Sequence, residues 1–64
     1  MKLDKRKVQL AWARTEKTAV QLAEEYGCTQ QGMISVLNKK SVTPAPAGRL
    51  ARVLNVDVTE IIED

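Results

Sequence analysis

The chain has no histidine and a single cysteine, Cys28, among its 64 residues. One cysteine cannot form an intrachain disulfide, and without histidine the usual Cys and His metal sites are excluded. No apolar run approaches the ~18 residues that a membrane span requires. No apolar segment follows the basic N-terminus, as a secretory signal would need. These absences fit a protein of the reducing cytoplasm. Sustained apolar–polar alternation is missing, so no strand signal is convincing. Linkers, internal repeats, low-complexity tracts and phosphate-cradling glycine loops are missing too. Glu24 and Glu25 are adjacent and point to different sides of a helix, so they do not make a catalytic pair. The sequence therefore argues against an enzyme: no catalytic residue, metal, cofactor or small-molecule ligand is expected.

Sixty-four residues suffice for one domain, spanning 1–64. Domains this small bury only about 60% of the surface their unfolded chain exposes, so stability is marginal, and a dimer partner would help by binding the folded state. The formal net charge is only +2, but it is unevenly spread. Residues 1–17 carry Lys2, Lys5, Arg6, Lys7, Arg14 and Lys17 against Asp4 and Glu16, whereas residues 18–64 carry four basic and six acidic side chains. The acidic end, Glu60 to Asp64, is expected to face away while the basic end approaches a phosphate backbone. The plainer alternative is a solvated basic helix.

Helix start and stop signals are frequent. A first helix is predicted over 3–14, with Val8, Ala11 and Trp12 at helical spacing and a connection at 15–17. Thr18 and Gln21 form a capping box that opens a second helix. Gly27 ends it in the left-handed conformation that glycine adopts without a Cβ clash. Thr29 caps a third helix reaching Asn38, with Met33, Val36 and Leu37 as its apolar contacts, and a loop follows at 39–42. Thr43-Pro44 opens a fourth, since proline lacks an amide hydrogen that the first turn leaves unpaired anyway. Asn55 closes it. Asp57 and Glu60 make a second capping box for a short last helix. The fold class is all-α: a compact bundle of about five short helices around a central helix-turn-helix at about 18–38.

The junction Ala23-Glu-Glu-Tyr-Gly27-Cys28-Thr29 is the informative feature. Two helices meeting steeply through a short turn need a small residue at the crossing, Ala23, and a sharp reversal, Gly27. Cys28 and Met33 fill the angle as compact hydrophobes. Gln30, Gln31 and Ser35 then point outward from the third helix. A glutamine amide pairs bidentately with adenine N6 and N7 in the major groove, and Gly32 beside them lets the helix lie close to the bases. Asn38, Lys39 and Lys40 follow at the helix end, and Lys17 and Thr18 flank the amides that open the second helix; both groups suit phosphate contacts. The plainer reading makes Gln30 and Gln31 surface amides and Lys39 and Lys40 a solvated loop. Val56, Val58, Ile61 and Ile62 form an apolar strip, partly core, whose remainder suits a two-fold interface.

From about Thr18 to Ile62 the chain resembles the Cro and CI-type (XRE) helix-turn-helix family of phage repressors. Gln-Leu-Ala-Glu-Glu-Tyr-Gly at 21–27 looks like the family's second helix, and Thr-Gln-Gln at 29–31 like the start of a recognition helix. Pro44 and Leu-Asn-Val-Asp-Val-Thr-Glu-Ile-Ile at 54–62 look like its last two helices. The resemblance implies a repressor that binds double-stranded DNA as a homodimer. Gln30, Gln31 and Ser35 would face bases, and Thr18, Asn38 and Lys40 would touch phosphate. The family often has glutamine where Ala19 stands, so one such phosphate contact is missing here. The competing reading is a protein-binding module of the same fold, such as an antirepressor or antitoxin, which would be expected to show aromatics or methionines on that face.

Overall fold

The computed structural model of the chain describes residues 1–63. The described residues are all-α, with four α-helices and one 3-10 turn. They are α1 (Lys5–Thr15), α2 (Ala19–Tyr26), α3 (Gln30–Leu37), α4 (Pro44–Val53) and the turn Val58–Glu60. The last predicted helix is thus a single 3-10 turn, opened by both halves of the Asp57–Glu60 capping box. No helix of the described residues is long and apolar enough to cross a membrane.

Local capping chemistry explains most boundaries. Asp4, not Leu3, sets the start of α1, because its carboxylate accepts from the amides of Arg6 and Lys7 at 3.0 and 3.1 Å. Glu16 ends α1 in the left-handed region at φ 57°. The Trp12 indole N–H donates to Lys17 O at 2.8 Å and ties the α1–α2 connection back onto α1. Thr18 N donates to Gln21 Oε1 and Gln21 N to Thr18 Oγ, at 2.8 and 3.2 Å. Gly27 has φ 90°, and both Gly27 N and Cys28 N donate to Ala23 O. Pro44 stands in the first turn of α4, and Asn55 follows that helix at φ 61°.

Leu3 lies outside the helix predicted for it, because residues 1–4 are extended. Leu3 N donates to Lys40 O and Val42 N to Met1 O, while Asp4 N donates to Ile61 O and Glu63 N to Lys2 O, all at 2.8–2.9 Å. The N-terminal segment is therefore held between residues 40–42 and 61–63 through isolated antiparallel bridges, Lys2 with Ser41 and Leu3 with Ile62. These pairings also draw the acidic C-terminal segment alongside the basic N-terminus, contrary to the separation expected from the sequence. Glu63 shares a shallow cleft with Lys2, Lys5, Arg6 and Lys40. Asp64 lies outside the described residues.

One core holds the elements together. Its largest enclosed side chains are Val8, Leu22, Met33, Leu50, Leu54 and Ile61, drawn from all four helices and the C-terminal segment. Leu3 and Val42 join it from the bridged segments. α2 packs chiefly on α3 and also on α4. The resulting body measures 29 × 21 × 16 Å. No buried side-chain polar atom among the described residues lacks a hydrogen bond, as expected where an unpaired polar group costs ~1–3 kcal/mol.

Candidate nucleic-acid interface

The outer face of α3 follows from how its inner face is buried. Met33 and Leu37 are in the core, and Val36 is half-buried against it. At 3.6 residues per turn, this register turns Gln30, Gln31, Ile34 and Ser35 outward, and all four are exposed. α3 carries no charged side chain. Its outer face offers amides and a hydroxyl for directional hydrogen bonds, and long-range attraction to a polyanion must come from its flanks. Ile34, 42% exposed, was not among the residues expected there. It lies one turn after Gln30 and one turn before Asn38.

Gly32 also has a role inside the fold. It is half-buried, and a Cβ built on it would lie 3.2 Å from Thr29 Oγ and 3.6 Å from Cys28 Cβ. Thr29 Oγ accepts from Gly32 N at 3.1 Å. Glycine at this position thus makes room for the α2–α3 turn and its cap, on the side of α3 next to the outer face.

The residues expected to hold phosphate are unequally placed. Asn38 is exposed at the end of α3, and its Nδ2 donates to Ile34 O at 2.9 Å; an amide nitrogen has two hydrogens, so one remains for an outside acceptor. Lys39 and Lys40 are exposed, and Lys40 O is fixed by Leu3 N at 2.9 Å. That bond brings Lys2, Lys5 and Arg6 beside Lys40 around one cleft. Lys40 lies more than thirty positions from the other three, so no local pattern joins them. Among the described residues the cluster's acidic members are Asp4, engaged in capping α1, and Glu63. The basic N-terminal run therefore adjoins the exit of α3.

At the start of α2, Thr18 Oγ is already an acceptor for Gln21 N, which leaves the hydroxyl hydrogen for donation. The capping box takes the Thr18 and Gln21 amides, so the Ala19 and Val20 amides are the ones that open outward at this helix end. Lys17 Nζ lies 2.6 Å from Glu25 Oε2, and its charge is compensated locally. A cleft of about 410 Å³ beside it is lined by Arg14, Lys17, Glu25 and Arg52. Residues at the C-terminal ends of α1 and α4 line it, and Arg14 and Arg52 in those last turns complement the negative ends of the helix dipoles.

Of the strip at 56–62, Ile61 is completely enclosed and has no surface to offer a partner. Val56, Val58 and Ile62 are half-buried against the core, and their outer edges remain accessible. Among the described residues no group of three or more histidine, cysteine, aspartate or glutamate side chains is placed to hold a metal ion. No family model, curated protein or solved structure matches the chain.

Proposed function

We propose that the protein is a sequence-specific regulator of transcription, a Cro-like repressor that places α3 in the major groove of double-stranded DNA. The supporting observation is the uncharged, hydrogen-bonding outer face of α3, bordered at its exit by Lys39, Lys40 and the cleft cations Lys2, Lys5 and Arg6. In this reading α2 and the turn Gly27–Thr29 form the first part of a helix-turn-helix. Gln30, Gln31 and Ser35 meet base edges. Thr18, Asn38, Lys39 and Lys40 donate to phosphates, and Lys17 does so only on leaving Glu25. Phosphate contacts set the register while base contacts set the sequence. A homodimer on a two-fold operator would space its recognition helices about 34 Å apart, with Val56, Val58 and Ile62 at or near the contact between copies. Occupancy alone would then repress, with no catalysis, metal, cofactor or small-molecule ligand.

One observation favours a second reading. Ile34 is an exposed aliphatic side chain at the centre of the same face, which suits a protein-binding module of the antirepressor or antitoxin kind. Titration of a random-sequence duplex at low and rising salt separates the two. A DNA binder associates at low salt, and its log affinity falls linearly with log salt. No association at low salt would reject the DNA reading.

A further inference from the structure

We infer that Ile34 reads the 5-methyl group of thymine, making it a specificity-determining residue of the DNA site proposed above; the inference rests on that reading. Four large apolar side chains are exposed among the described residues: Met1, Leu10, Val20 and Ile34. Ile34 alone belongs to α3. Its neighbours one turn away on either side are Gln30 and Asn38, and Gln31 and Ser35 lie beside it on the same exposed face. Asn38 Nδ2 holds Ile34 O at 2.9 Å, which secures the last turn of α3 beneath the side chain.

An isoleucine left in water on an otherwise polar face adds little to the stability of the fold. It does match one feature of the major groove, where thymine alone among the four bases presents a methyl group. Isoleucine in a helix is nearly confined to one χ1 rotamer, so its γ carbons are already positioned and little freedom about χ1 is lost on contact. The glutamines distinguish bases by hydrogen bonds and Ile34 by an apolar contact. The two kinds of readout sit side by side on one face of two helical turns. The expected operator therefore has a thymine in each half-site whose methyl, rather than its O4, is recognised.

The test uses the full chain and a duplex selected by it from a random pool. Each thymine is replaced in turn by deoxyuridine, which removes the methyl and leaves every hydrogen-bonding group. The wild type should lose about fourfold in affinity for each methyl contacted, as burial of one methylene-sized group implies. Ile34→Ala should bind more weakly to the thymine duplex and be indifferent to the replacement. Ile34→Val, which keeps both γ carbons, should retain part of the sensitivity. Unaltered helical content and melting temperature would show that both variants fold. If deoxyuridine is neutral for the wild type at every position of a specifically bound site, the methyl readout is wrong although the DNA reading stands. Equal uracil sensitivity in wild type and Ile34→Ala would likewise overturn the assignment to Ile34. If no duplex is bound or selected, both readings fall together.

Discussion

Leu3 and Leu10 offer a sharp test of the fold, because a helix predicted over 3–14 treats them as two leucines of one element. The structure separates them. Leu3 is 5% exposed in the extended segment, and Leu10 is 54% exposed on α1. Leu3→Ala removes a core side chain, at a cost of ~2–5 kcal/mol for buried leucine. The segment is held by isolated bridges and can settle inward, which favours the lower part of that range. A chain of this length has roughly 3–10 kcal/mol in all, and each kcal/mol moves the melting temperature by about 4–8 °C for a domain of 60–100 residues. Leu3→Ala should therefore lower the midpoint by at least ~8 °C. Leu10→Ala should change stability by no more than ~0.5 kcal/mol. Thermal and urea unfolding followed by circular dichroism measure both. Equal losses, or a greater loss at Leu10, would refute the placement of residues 1–4 between the 40–42 and 61–63 segments.

Other consequences concern the interface and its supports. Gln30→Ala should cost ~1–3 kcal/mol at one base pair in each half-site and relax preference there; measured against single-base variants of a selected site, a uniform loss would remove Gln30 from direct readout. Lys40→Ala should weaken all duplexes alike and make the log affinity–log salt slope shallower by about one, and an unchanged slope would place Lys40 off the phosphate track. Asp57 has its carboxyl held below the usual value of 3.8 by hydrogen bonds from the Thr59 backbone N–H and then the Thr59 hydroxyl. Its folded pKa is depressed, so its ionised form stabilises the fold above about pH 3.8, and that contribution disappears as pH falls through the folded value. Asp57→Asn should thus lower the melting temperature near neutrality, with the difference from wild type vanishing in strong acid. A difference independent of pH would show that the charge of Asp57 contributes nothing.

The features legible in the sequence are those with short-range causes. The Thr18–Gln21 and Asp57–Glu60 boxes, the Thr29 cap, the left-handed Gly27 and the left-handed Asn55 each depend on residues within a few positions of one another. The bridged N-terminal segment depends on pairing with residues some forty and sixty positions away. Each partner contributes only one or two residues, too few for a period-two pattern. The basic run that follows Asp4 reads as part of a helix and conceals the cap. Consequently the cluster of Lys2, Lys5 and Arg6 with Lys40 had no local signature, nor did the return of Glu63 to the same cleft. Ile34 was obscured differently. It stands in the apolar stretch Met33–Leu37, and only the helical register shows that Met33 and Leu37 face the core while Ile34 faces out. The space around Gly32 was equally invisible without the positions of Cys28 and Thr29.

The central proposal, sequence reading by α3, is tested most directly by selecting binding sites from a random duplex pool at near-physiological salt. The account predicts a two-fold symmetric motif whose half-site centres lie about one helical turn apart, and whose preferences at the α3 contacts change in Gln30→Ala. Binding without sequence preference, or a motif unaltered by substitutions on the outer face of α3, would contradict it.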